Sequence, residues 1–431
     1  MRMITLALLV GLRVIAAATQ ETQPMAQVKK TLAECVAIAL QQHPSLKAGA
    51  ASVEAGKARV AEALSSYLPH VNGSYSFTRQ KFNPTVFGTQ GSTTTFNLHN
   101  ASAGFTQLLF DFGQTLNQIR STQASEQSLQ ADQTTQREVV VLNVKQSYFT
   151  LLAAYRLLIV ADETVHQNEK HLEQAEGRFK VGLAAKFDVT QAEVQLANAQ
   201  LSQVTARNNV AVARETLRNA LGLTGPLDFD IVDNFDVRQV AVTESDALTS
   251  AYDKRPELLS IRAQELAAVQ QVASLQKNYL PWVQANGDYH REGLNSPAAD
   301  VWDLGATLNI NLFNGGLTTA QISEQKANLA NLKYNEEVLR QNIALEVRQD
   351  VLNLAQAAES IRVSETALRQ ARENLELAEG RYNTGVGNII ELTDAQASLT
   401  TAEANYVQAL YNYKTTVAAL EKATAQQLES E

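Results

Sequence analysis

Two windows of nearly seventy residues, 113–181 and 316–384, contain no proline, and their glycines (Gly113, Gly177, Gly316, Gly380) stand only near the edges. The eight prolines fall elsewhere, at 24, 44, 69, 84, 226, 256, 281 and 297. Proline costs about 3 kcal/mol inside a helix and glycine about 1 kcal/mol. Windows cleared of both predict two helices of unusual length. At roughly 1.5 Å per residue each would span on the order of 100 Å, far beyond the dozen or so residues of a globular helix. A compact single-core domain cannot contain them.

The two windows belong to an internal repeat. His43-Pro44 returns as Arg255-Pro256, and Tyr67-Leu68-Pro69 as Tyr279-Leu280-Pro281, both 212 positions later. Leu109-Phe110-Asp111 returns as Leu312-Phe313-Asn314 and Glu176-Gly177-Arg178-Phe179 as Glu379-Gly380-Arg381-Tyr382, now 203 positions later. The offset changes after Tyr75 and its partner Tyr289, so the extra residues form a surface loop. The halves run over 31–221 and 243–431, joined by a linker at 222–242 that holds Gly225-Pro226 and four acidic residues. Each half reads helix, hairpin, very long helix, helix. The last two elements are expected at 113–181 and 188–220 in the first half, and at 316–384 and 391–428 in the second. Within the long windows Val140, Val144, Val165, Leu172 and Ala175 match Ile343, Val347, Leu368, Leu375 and Ala378. This apolar stripe wants a partner along its length and leaves the other face wet.

Short alternating stretches separate this chain from a plain rod-like coiled coil. Val71, Gly73, Tyr75 and Phe77 alternate with polar residues, and so do Trp302, Leu304, Ala306, Leu308 and Ile310. A period of two marks strands with one apolar face, expected at 70–79, 98–109, 282–291 and 301–312. About ten tilted residues suffice to cross a bilayer in a barrel. Phe110, Phe112, Trp282, Trp302 and Phe313 lie toward the strand ends, as an interfacial girdle or as packing at the strand–helix junction. Four strands cannot enclose an interior, and an open edge cannot face lipid. If the strands enter a membrane, several chains share one barrel.

Composition excludes other classes. A net charge of -9 argues against a nucleic-acid partner. The six histidines are scattered without metal-ligand spacing, and the single Cys35 excludes an internal disulfide and suits a small apolar filler. No triad, metal cluster or phosphate loop points to an enzyme, and no cofactor is implied. Arg2, the apolar run Ile4 to Leu12 and Ala16-Ala17-Ala18 read as a signal peptide over 1–18, followed by an N-terminal segment over 19–30. The distance of Cys35 from that run, and Glu34 before it, argue against a lipid anchor.

The duplicated plan, with Arg178-Phe179-Lys180-Val181-Gly182-Leu183 and Phe187-Asp188-Val189 against Arg381-Tyr382-Asn383-Thr384-Gly385 and Glu391-Leu392, resembles the TolC family of outer-membrane efflux factors. The resemblance implies a mainly α fold with a small β part. A homotrimer would share a twelve-stranded barrel embedded in outer-membrane lipid, continued by a periplasmic helical tunnel. It implies a passive conduit for an efflux or type I secretion system, with a periplasmic adaptor and an inner-membrane pump of RND or ABC type as partners. Val181, Gly182, Leu183 and Gly385 would meet adaptor tips, although a glycine in a left-handed helix end explains Gly182 and Gly385 equally well. Glu391, Asp394, Asp188 and Tyr382 would line or close the constriction. Asp188 also fits a helix N-cap, with Gln191 three residues on. Gly387 stands where the family pattern has an arginine and Phe187 where it has a threonine, so the resting entrance is expected to be less firmly closed. A periplasmic coiled-coil structural or adaptor protein without a barrel is the rival reading. It leaves the duplicated hairpins unexplained.

Overall fold

The computed structural model describes residues 29–83, 91–233, 240–294 and 299–428. The expected signal peptide lies outside them. The first half contains β1 (Lys29–Lys30), α1 (Leu32–Gln42), α2 (Pro44–Ser65), β2 (His70–Phe82), β3 (Thr94–Phe110), α3 (Gln114–Lys180) and α4 (Lys186–Ala220). After β4 (Asp230–Ile231), the second half repeats the order with α5 (Glu244–Lys254), α6 (Pro256–Gln276), β5 (Trp282–Leu294), β6 (Ala299–Asn309), α7 (Leu317–Thr384) and α8 (Ile389–Thr424).

Helices α3 and α7 run unbroken for 67 and 68 residues. The first helix of each half is in fact two helices. Proline disfavours helical geometry in the residue before it and suits the first position of a helix. His43 and Arg255 accordingly sit at ψ 126° and 124°, ending one helix and capping the next. Strands β2, β3 and β5 are longer than alternation alone predicts, β3 reaching 17 residues, while β6 ends at Asn309, short of the expected 312.

Packing follows the repeat. Cys35, Ala39, Val140 and Val144 are buried together between α1 and α3, and Ala247, Ala251, Ile343 and Val347 form the equivalent cluster between α5 and α7. Cys35 therefore occupies the position of an alanine, fully buried, and burial pushes its thiol up to about 11. The stretch between the halves is more than a linker. Leu227, Phe229 and Ile231 enter the first core, and β4 pairs in parallel with β1. Among the described residues no helix is long and apolar enough to cross a membrane.

Candidate functional site

The sheet runs β2-β3-β5-β6, antiparallel throughout. Its register places Val71 beside Phe105, then Gly287, then Leu304, and places Gly73 beside Ala103, Tyr289 and Trp302. Opposite residues in a ladder share a face, so these rows build one apolar face across all four strands. The other face carries Ser74, Ser102 and His290 in one row and Gly104, Asp288 and Asp303 in another. Ser74 and Ser102 are hydrogen-bonded there at 2.9 Å. Gly287 lacks a side chain for a packing reason: a Cβ there would lie 2.5 Å from the Phe105 ring.

An apolar face outward and a polar face inward is the arrangement of a membrane barrel. Strands β2 and β6 each pair on one side only, so closure must come from other strands. Phe110 and Phe112 stack edge to face at 4.7 Å where the sheet meets α3. Trp282 opens β5 at the same end, and Phe313 stands just past β6 at 89% exposure. Trp302, at 74% exposure, lies toward the hairpin-loop end. Exposure this high excludes packing within the chain for Trp302 and Phe313.

At the far end of the long helices, two tight turns connect α3 to α4 and α7 to α8. Gly182 and Gly385 hold φ of 76° and 77°, a left-handed conformation that favours glycine. Val181 and Leu183 stand 69% and 78% exposed around the first turn. Asp188 does not cap α4. That helix starts at Lys186 with Ala185 at its N-cap, which puts Asp188 in the first turn, where its charge still complements the helix dipole. Helix α8 is capped instead by Asn388, whose Oδ1 accepts the Glu391 backbone N–H at 2.9 Å.

Sequence reasoning missed two arginines at this end. Arg178 lies over the Tyr382 ring, 4.4 Å from its centroid, and donates to the Asn383 carbonyl at 2.9 Å. Arg381 pairs with Glu391. The two occupy matching positions of the repeat, which is the signal that would have found them. Gly387 packs so closely that a Cβ would fall 2.9 Å from the Arg381 Cβ, so a side chain there would collide with Arg381. Tyr382 is 3% exposed with its hydroxyl unpartnered, and burial raises its pKa, Asp188 adding to the rise and Arg178 opposing it. Asp394 is exposed one turn beyond Glu391.

An amphipathic membrane sheet with open edges, carried on helices of about 100 Å, defines the class of a membrane channel protomer with a long helical extension. The chain belongs to the outer membrane efflux protein family, whose pattern matches residues 36–223 and 247–426. It is 26% identical over 388 residues to outer membrane protein TolC of Salmonella enteritidis, covering 86% of this chain and 77% of that one. Its fold matches the Campylobacter jejuni CmeC outer membrane channel with a TM-score of 0.82 at 17% identity, over 99% and 95% of the two chains. It also matches the open state of the Neisseria gonorrhoeae MtrE channel at 0.79 and 17%, over 92% and 89%. The protein is thus an outer-membrane efflux channel, and its long helices extend into the periplasm. The family is one of transport channels, not of enzymes.

Proposed function

We propose that three copies of this chain close one twelve-stranded barrel and form a passive conduit of a tripartite efflux or type I secretion assembly. The observation that carries the reading is the four-stranded sheet, apolar on one face, polar on the other and open at β2 and β6. Open edges in lipid leave backbone groups unpaired, so β6 of one protomer pairs with β2 of the next. In this reading the exposed turn of Val181, Gly182 and Leu183, with Gly385, docks a periplasmic adaptor that links the channel to an inner-membrane pump of RND or ABC type. Glu391 and Asp394, with Asp188 and Tyr382 behind them, line the periplasmic constriction. The energy for transport comes from the pump. Measuring the mass of the detergent-solubilised protein tests the assembly: a trimer is expected. A stable monomer with its strand content intact would defeat the shared barrel.

A further inference from the structure

The register that sorts the sheet into two faces also sorts its charges. Every lysine and arginine on the four strands (Arg79, Lys81 and Arg291) falls on the apolar, outward face. Three of the four strand acids, Asp288, Glu292 and Asp303, fall on the inward face. The fourth, Asp300, shares the outward face and pairs with Arg291 at 3.3 Å. In a chain of net charge -9, a basic outward surface runs against the overall balance.

Arg79 and Lys81 lie at the hairpin-loop end, opposite the periplasmic helices and therefore at the outer leaflet. Arg291 sits lower, opposite Ala101 and hence at the register level of Tyr75. Arg79 stands eight residues beyond Val71, about 26 Å of strand at roughly 3.3 Å per residue. The apolar side chains of Tyr75 and Phe77 lie below it on the same face. Arg79 and Lys81 are exposed and make no ion pair among the described residues. Cations immediately above a lipid-facing apolar band meet lipid headgroups, and guanidinium and ammonium groups bind phosphate through charge-assisted hydrogen bonds.

We propose that Arg79 and Lys81 form a docking site for the phosphorylated headgroups of outer-leaflet lipid, the acyl chains lying along Tyr75 and Phe77. The site rests on the barrel reading. Because β2 is an open edge, a bound lipid would lie over the seam between protomers.

Native mass spectrometry of the full protein in neutral detergent tests the proposal, with diphosphorylated lipid A, its dephosphorylated form and phosphatidylcholine as probes. The wild type should bind the diphosphorylated lipid about tenfold more tightly than either neutral probe. Replacing Arg79→Gln and Lys81→Gln together should abolish most of that preference, and the charge-conserving pair Arg79→Lys with Lys81→Arg should retain it. Equal binding of phosphorylated and dephosphorylated lipid by the wild type would overturn the proposal, whether or not the glutamine variant assembles. So would an unchanged preference in an assembled glutamine variant. The same spectra count the chains, so failure of the trimer is read separately from failure of the lipid site.

Discussion

Arg381 donates from Nε to the Glu391 carboxylate at 3.2 Å, tying the end of α7 to the start of α8 across the entrance turn. The family resemblance places Glu391 and Asp394 together at the constriction, six carboxylates in a trimer. The pair leaves Asp394 and Asp188 as the candidate constriction acids without an ion pair among the described residues. Both partners are about half exposed, so the pair contributes at most about 1 kcal/mol to stability. In the proposed constriction its larger effect is on the charge that a passing ion meets.

Ion selectivity should therefore respond unequally to the two acids. Asp394→Asn should lower cation preference and multivalent-cation block in single-channel recordings more than Glu391→Gln does. Arg381→Gln should raise both, because it releases a carboxylate at the ring. Trimer assembly should persist in all three, since neither sheet nor helix seams are touched. If the double replacement of Glu391 and Asp394 leaves selectivity unchanged, the constriction lies elsewhere.

Tyr382 makes a different prediction. Its hydroxyl is buried without a hydrogen-bond partner, and such a group costs about 1–3 kcal/mol. Tyr382→Phe should keep the contact of the ring with Arg178, leave conductance nearly unchanged and raise thermal stability slightly. A large rise in conductance would mean that the hydroxyl closes the entrance through another protomer.

The long elements were legible because their signals are cumulative: seventy residues without a breaker, and alternation repeated across four strands. The repeat supplied the order. The break between α1 and α2 was written in His43-Pro44 but missed, because the apolar pattern runs through it. The entrance was only half legible. Val181, Gly182, Leu183 and Gly385 are identifiable as turn residues, and Glu391 and Asp394 as early-turn acids. The partner Arg178 depends on how two hairpins meet, which no local pattern encodes, and Arg381 on the closing of the turn within its own hairpin. Asp188 read as a cap for the same reason: its spacing to Gln191 fits a capping box, but the helix begins two residues earlier.

The repeat also diverges in one place with consequences for stability. Where the first half has His43 and Ser45, the second has Arg255 and Glu257, and buried Arg255 bonds both Glu257 at 2.8 Å and Glu346. Lys422 joins Glu346 at 3.0 Å. Arg255→Ala leaves two partly buried carboxylates sharing Lys422 and should lower stability by up to about 3 kcal/mol, read as a fall in thermal midpoint. A shift no larger than that of an exposed pair would show that water replaces the guanidinium.

Beside this network, burial raises Glu138 to about 7, with Glu257 adding to the rise and Arg255 and Lys422 opposing it. A carboxyl raised in the folded state favours folding below its unfolded value near 4.5, and that advantage is lost as pH climbs through 7. Glu138→Gln should therefore be more stable than the wild type at pH 8, on the order of 1–2 kcal/mol after discounting for partial exposure. The difference should vanish near pH 4.5. Equal thermal midpoints at pH 8 would show that the carboxylate is solvated.

The entrance seam carries the opposite pH dependence. His171 on α3 is buried with both ring nitrogens unpartnered, and the Gln396 Oε1 on α8 is likewise buried and unsatisfied. Burial lowers the histidine pKa, while Glu379 on α7 and Gln396 pull it back up and Lys170 lowers it further. A histidine kept neutral by burial gives stability that is present above its unfolded value near 6.5 and is lost as pH falls below it. Acidification should therefore loosen the contact between the α3–α4 and α7–α8 hairpins, two to three turns above the entrance. Protection of the backbone amides around 168–175 and 392–399, taken relative to the intrinsic exchange rate at each pH, should fall between pH 7 and pH 5 in the wild type, and single-channel conductance should rise over the same range. His171→Gln keeps a polar group of similar reach that cannot charge, so both changes should flatten. If the glutamine variant keeps the wild-type pH response, the titrating group is one of the exposed acids at the ring, and the buried histidine is only a packing residue of the seam.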